Sequence, residues 1–306
     1  MSKKIVFMGT PEFSVLTLKV LAKSNYDLVC VYTQPPKKSS RGQKLKISPI
    51  HDAAQKLNLT IKTPKLLNDK NEYKYFKSIN PYIVVVVAYG QIIPKNYLDL
   101  PEKGFINIHA SLLPKWRGAA PIQRSIINKD KETGISFMKI EEGLDTGPFI
   151  SQIKVNINEE TNAANLSNKL AKLGAENILN CLEMIEKNRA NFTIQDESKA
   201  SYASKIKKIE SKIIWSEKAI NIISKINGLS PAPGAWFEYQ GARYKILKAQ
   251  ISNLSGEPGK ILDKNFTIAC KEKSINILEI QKEGKNKLPI KDFLTGGQIT
   301  VGDILS

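Results

Sequence analysis

The apolar run IVFMG at residues 5–9 ends in glycine just ahead of Pro11, and it predicts a first strand. EFSVLTLKVLAK then brings apolar residues back at helical spacing, and DLVCVYT at 27–33 predicts a second strand. In SPIHDAAQKLN, Ser48 takes a capping position and Pro49 the first helical turn, which predicts a helix start. LTIKT, EYKYFKSI and YIVVVVAYG continue the series as strand, helix and strand. Such alternation predicts right-handed crossovers and a largely parallel sheet. The valine run within 82–89 is apolar at successive positions, as a central strand covered on both faces requires. FINIHA predicts another strand and APIQRSIIN a helix. GISFMKIE and FISQIKVNI predict a hairpin turning through GLDTGP, and residues 161–188 a long helix that closes the first domain.

After Phe192 the pattern changes. QDESKASYASKIKKIESK is polar and highly charged, and it predicts an exposed linker or a strap along both domains. One helix, SEKAINIISKIN, follows. Short extended runs then alternate with glycine, proline and asparagine, which predicts a small barrel. The expected division is 1–189 for the first domain, 190–207 for the linker and 208–306 for the barrel.

Composition narrows the class. The chain has 306 residues, of which 42% are hydrophobic, so two domains with real cores are expected and wholesale disorder is not. No apolar run reaches membrane-spanning length, and MSKKIVFMG has no signal-like apolar region. A cytoplasmic protein is expected. Cys30, Cys181 and Cys270 are odd in number and far apart, so neither a disulfide framework nor a metal cluster is expected. The formal net charge of +17 suits an acidic partner such as nucleic acid, phospholipid or a phosphorylated metabolite. A lysine-rich composition with no special partner gives the same number.

Candidate chemistry concentrates after the central strand. Asn107 and His109 fall near the end of FINIHA, and a spacing of two puts both side chains on one face of a strand. Parallel-sheet domains place ligands at these carboxyl ends. Asp145 sits between two glycines in a turn that can swing its carboxylate toward a neighbouring strand end. An imidazole moves protons near neutral pH, and an amide donor can stabilise a developing oxyanion. The trio suits transfer of an acyl-type carbon, with attack coming from the substrate, because no serine or cysteine is placed as a nucleophile. The competing reading is a core histidine, a strand-edge asparagine and a turn aspartate.

NIHASLLPKWRGAAPIQR closely resembles the signature of the methionyl-tRNA formyltransferase family, and the later GLDTG, MGTPEF, VYTQPP, VVVAYGQIIP and SPAPGAWF match it too. The resemblance runs from about residue 5 to at least residue 303. It implies an α/β fold: a mostly parallel-sheet, Rossmann-like formyltransferase domain followed by a small OB-like β-barrel domain that binds tRNA. It implies formyl transfer from N10-formyltetrahydrofolate to the methionine amine of charged initiator tRNA, without a metal. Asn107, His109 and Asp145 match the family's catalytic trio. Ser111, Leu112, Leu113 and Pro114 match its folate-associated loop. Tyr89, Gly90, Gln91 and Ile92 fall where the family places more of the folate pocket. A monomer is expected, since two domains can enclose the reaction.

Residues 34–49 carry Lys37, Lys38, Arg41, Lys44 and Lys46 with no acidic residue among them. Solvent-facing charge on a mobile loop is one reading. The other, which the resemblance favours, is an RNA-contacting loop, with Arg41 and Lys44 as the leading contacts. Trp215 and Trp236 are expected to pack, Trp116 to line an entrance, Arg117 to fix the loop or meet an anion, and His51 to be a structural or surface residue rather than a catalytic one. Three other functions compete with this one. GTPEFS at 9–14 lacks the glycine-rich fingerprint of a dinucleotide-binding oxidoreductase. A formyltransferase for a sugar nucleotide or small amine explains the trio but not the basic loop and barrel. A noncatalytic RNA-binding protein explains the charge but not the trio.

Overall fold

A computed structural model describes residues 3–39, 44–296 and 300–305, with the backbone alone for residues 38, 39 and 44. Contacts divide it into two units. The first comprises Met1–Gly118, Thr133–Val155 and Ser167–Tyr202; the second comprises Ala119–Glu132, Asn156–Leu166 and Ala203–Ser306. The division therefore differs from single cuts at 189 and 207. The helix Pro121–Ile127 joins the second unit, where a Cβ on Gly228 would meet the Ile127 side chain and lie 3.0 Å from Gln123 O.

The first unit is built on β1 (Lys4–Gly9), α1 (Val15–Ala22), β2 (Asp27–Tyr32), a ribbon of β3 (Lys37–Ser39) and β4 (Lys44–Lys46), α2 (Pro49–Lys56), β5 (Ile61–Lys62), α3 (Lys70–Ile79), β6 (Ile83–Val87) and β7 (Phe105–His109). One seven-stranded sheet runs Phe149–Asn156, Glu132–Lys139, β7, β6, β1, β2, β5. β1 pairs in parallel with β2 and β6, and β6 with β7, while Glu132–Lys139 runs antiparallel to β7. The expected hairpin follows, with the Lys139 N–H donating to Pro148 O. β6 is Ile-Val-Val-Val-Val and wholly buried, because β-branched side chains fill both faces of a covered strand. Ser48 caps α2 by accepting the His51 N–H at 3.0 Å, with Pro49 in the first turn, as its sequence predicts.

The chain leaves β1 toward β2 and β5, then crosses back to β6. The carboxyl ends of β1 and β6 thus flank a topological switch point, where open α/β sheets bind ligands. Hydroxyls stitch its two loops together: Ser14 Oγ donates to Val87 O at 2.6 Å, and Thr10 Oγ1 to Tyr89 O at 2.8 Å. Glycine at position 9 permits this closeness, since a Cβ there would lie 2.8 Å from the Phe7 ring and 2.9 Å from Ser14 Cβ.

The second unit carries an antiparallel sheet of Ala235–Tyr239, Ala242–Ser252, Ser274–Lys282 and Thr267–Ala269, with Lys287–Pro289 on Ser274–Lys282. Register breaks between Ile246 and Ala249 bend the long strand, as bulges do in barrels. Ile222 and Ile226 of the helix Ala219–Leu229 share its core with Phe237, Ile246, Ile277 and Ile280. Trp215 packs in that core, edge-on to Phe237 at 5.8 Å, and the Arg243 guanidinium lies 3.8 Å from the Trp236 ring centroid. Both tryptophans are packing residues, as expected. The three cysteines are buried and free, and burial pushes the Cys30 thiol up to about 11, away from nucleophilic use. Among the described residues no helix is long and apolar enough to cross a membrane.

Candidate active site

β7 carries Asn107 and His109 to the carboxyl edge of the sheet. Asn107 is paired with Val86 on one side and Met138 on the other, and His109 with Ser136. His109 is 6% exposed, and its Nε2 lies 2.9 Å from Trp116 O. A carbonyl only accepts, so Nε2 carries a proton in this contact. The other ring nitrogen, Nδ1, faces Asp145 Oδ2 at 3.6 Å, too long for a hydrogen bond but close enough for an ion pair when the ring is protonated. The turn after Glu132–Lys139 thus does bring the Asp145 carboxylate to the end of β7.

Asp145 itself stands at φ +53°, in the left-handed region that residues with a side chain rarely enter. Its Oδ2 accepts the Gly118 N–H at 2.8 Å. Close by, a Cβ on Gly147 would overlap the Lys139 carbonyl oxygen, so the turn winds tightly onto the hairpin. Glu142 meets Lys95 at 2.6 Å, with both side chains exposed to solvent.

The loop 111–114 leaves the end of β7. Ser111 and Leu113 are buried, while Leu112 and Pro114 are half-buried. A hydroxyl on the neighbouring strand organises this loop. Ser136 Oγ accepts the Leu113 N–H at 3.1 Å and donates to Ser111 O at 2.7 Å, and Gln152 Nε2 donates to Leu113 O at 2.8 Å. Neither Ser136 nor Gln152 stands in a recognisable motif, so the sequence carries no signal for their role.

Tyr89–Gly90–Gln91–Ile92 follows β6 at the switch point. The Tyr89 ring turns into the core with Met8, Tyr32 and Tyr97, so this residue offers the crevice its backbone rather than its ring. Gly90 adopts φ +81°, and its carbonyl accepts from Gln34 Nε2 at 3.1 Å. Gln91 donates through Nε2 to Pro64 O at 2.9 Å, and its Oε1 is buried with no partner. Ile92 is 90% exposed.

Arg117 is wholly buried and fixes the loop, the first of the two roles expected for it. Its Nε and Nη2 donate to Gln195 Oε1 at 3.0 and 2.9 Å; its Nη1 and Nη2 donate to Glu197 at 2.8 and 2.7 Å. The bond to Arg117 holds the Glu197 carboxyl below the usual carboxylate range. Gln195 is 5% exposed, although QDESK reads as an exposed linker; its amide is consumed by partners far away in sequence.

Of the basic stretch, Lys37 and Lys46 are exposed and stand directly opposite each other on the ribbon. Lys38 and Lys44 are placed on the same ribbon by backbone alone, and Arg41 lies outside the described residues. Two concavities of about 370 and 380 Å³ lie elsewhere. One is lined by Arg124, Ile209 and Leu229, the other by Leu98, Lys139 and Phe192, and neither includes a trio residue. Among the described residues no cluster of histidine, cysteine or carboxylate side chains is arranged to hold a metal.

Residues 3–182 match the formyl transferase family, and residues 205–298 match the formyl transferase C-terminal domain. The chain is 54% identical over 304 residues to the methionyl-tRNA formyltransferase of Pelagibacter ubique, covering 99% of this chain and 98% of that protein. The chain belongs to the methionyl-tRNA formyltransferase family. The enzyme of that name from Bradyrhizobium diazoefficiens is 41% identical over 307 residues, covering 99% of each chain. The fold also resembles an N-formyltransferase from Helicobacter canadensis, solved with folinic acid and dTDP-3-aminofucose. The TM-score is 0.69 at 21% identity, over 92% of this chain and 100% of that one.

Proposed function

We infer that the protein transfers the formyl group of N10-formyltetrahydrofolate to the methionine α-amino group of charged initiator tRNA, giving formylmethionyl-tRNA and tetrahydrofolate. The observation that carries this is 54% identity spanning both domains, in a chain whose His109 and Asp145 meet at a strand end two residues beyond Asn107. The donor supplies a formyl carbon already bonded to nitrogen. Gln91 Oε1, a buried acceptor without a partner, suits the N–H donors of a reduced pterin, and exposed Ile92 suits its flat apolar face. The backbone of 111–114, braced by Ser136, supports the same ligand from β7.

As the neutral amine attacks, the formyl oxygen gains charge. Asn107 donates its amide N–H there, and the Nδ1–H edge of protonated His109 adds a second donor. Asp145, 3.6 Å from that nitrogen, stabilises the imidazolium and takes part in removing the amine proton. The new C–N bond forms to methionine, the bond to folate N10 breaks, and N10 leaves with a proton. Lys37, Lys38, Arg41, Lys44 and Lys46 contact the tRNA backbone. The protein acts as a cytoplasmic monomer, for which light scattering of the purified chain and cell fractionation are the tests.

The deciding experiment supplies N10-formyltetrahydrofolate with Met-charged initiator tRNA, uncharged tRNA or a free amine. Formylmethionyl-tRNA should form rapidly and only from the charged RNA. Transfer to the free amine regardless of RNA would move the protein to the sugar- or small-amine class. RNA binding without turnover would leave a noncatalytic binder.

A further inference from the structure

We propose that Gln195 is a positioning residue of this transfer: its amide clamps the Asp145 turn in its left-handed form, and buried Arg117 clamps Gln195. The inference rests on the function proposed above. Gln195 Nε2 donates to Asp145 O at 2.8 Å and to Gly147 O at 2.7 Å. Both amide hydrogens are therefore spent on the turn that presents the carboxylate, one on each side of Thr146. The orientation of this amide is fixed by its partners. A guanidinium only donates, so the atom receiving Arg117 Nε and Nη2 at 3.0 and 2.9 Å must be the oxygen; carbonyls only accept, so the atom facing them must be the nitrogen.

The network returns to the histidine. Trp116, next to Arg117, offers the carbonyl that takes His109 Nε2–H. Gly118, on the other side of Arg117, gives its N–H to Asp145 Oδ2. Arg117 is itself tied down by its N–H to Ser201 O at 2.8 Å and by both Glu197 oxygens. Three consecutive residues thus hold the imidazole and the carboxylate, and Gln195 links the middle one to the turn. An aspartate at φ +53° keeps that conformation only where its surroundings enforce it. Releasing the turn would change the 3.6 Å gap between His109 and Asp145 without touching substrate.

A glutamate at this position keeps the acceptor for Arg117 and removes both donors, so Gln195→Glu isolates the clamp; Gln195→Leu removes both ends. Each variant should lose about 10²-fold in kcat, the scale of a small misplacement of a reacting group. KM for the donor and for Met-tRNA should stay within about twofold, because only an interaction at the transition state is lost. In an Asp145→Asn background the same substitutions should cost less than about threefold, since coupled residues are not additive. An undiminished loss in that background, or wild-type kcat in Gln195→Leu, would overturn the proposal, as would failure of both variants to fold. If the wild-type protein itself transfers no formyl group, the functional reading falls separately. Hydrogen exchange of the Gly118 amide then decides the clamp: faster exchange in Gln195→Leu supports it, and an unchanged rate removes it.

Discussion

His109 has one edge committed to structure and one available for chemistry. Nε2–H is held by Trp116 O, so proton exchange with a substrate belongs to the Nδ1 edge beside Asp145. Removing the ring in His109→Ala should lower kcat by about 10²–10⁴, the range of a positioned acid or base. Asn107→Ala should lower it by about 10²–10³, as loss of one oxyanion donor does. Single-turnover formylation measures both, and a change confined to KM would remove either residue from the chemistry. A different residue sets the acid behaviour of the Gln195 segment. Hydrogen bonds from Ser198, then the one from Lys199, hold the Asp196 carboxyl down from 3.8 to about 2. A depressed carboxylate adds stability that is complete above its ordinary pKa and is lost as pH falls through the folded one. Asp196→Asn should therefore melt below wild type at about pH 5, and the two should converge as pH falls toward 2. Parallel melting curves across that window would show that the turn contributes nothing.

β7 and the strand Glu132–Lys139 act as one element, because Ser136, opposite His109, also ties down the loop 111–114. Ser136→Ala leaves the Leu113 N–H without its partner. It should destabilise the protein by about 1–3 kcal/mol, the cost of an unsatisfied buried group. It should also raise KM for the folate donor more than KM for tRNA; thermal melts and steady-state kinetics test the two halves, and equal rises in both KM values would separate this loop from the donor. Elements whose signal is local were legible in the sequence. β1, β6 and β7 are short apolar runs, Ser48–Pro49 marks a helix start, and the spacing of Asn107 from His109 fixes their shared face. Elements whose signal is distant were not. KKS and KLK form a ribbon without apolar alternation. Gln195 looks like linker because its burial depends on Asp145, 50 residues away, and Arg117, 78 away. Tyr89 shows the same limit: its place after β6 was readable, but the turn of its ring into the core depends on partners such as Tyr32 and Tyr97.

The excess of 46 lysines and arginines over 29 acidic residues attracts an RNA at long range wherever the charges sit. Attraction alone does not distinguish a binding surface from a lysine-rich composition; a comparison of differently placed lysines does. Lys37 and Lys46 stand directly opposite each other across a two-stranded ribbon, an arrangement that repels itself in the absence of an anion. Lys56, by contrast, is exposed but already paired with Asp52 at 2.6 Å. A lysine that neutralises a phosphate releases a counterion, so it contributes to the salt dependence of binding as well as to its strength. Lys37→Ala and Lys46→Ala should each weaken Met-tRNA binding and reduce the slope of log K against log salt by about one. Lys56→Ala should leave that slope unchanged, and kcat at saturating RNA should be retained in all three variants. Binding titrations across a salt series make the comparison. If all three substitutions reduce the slope alike, the charge acts as a diffuse field and the ribbon is no contact site; if only the ribbon pair does, the field delivers the RNA and the ribbon holds it.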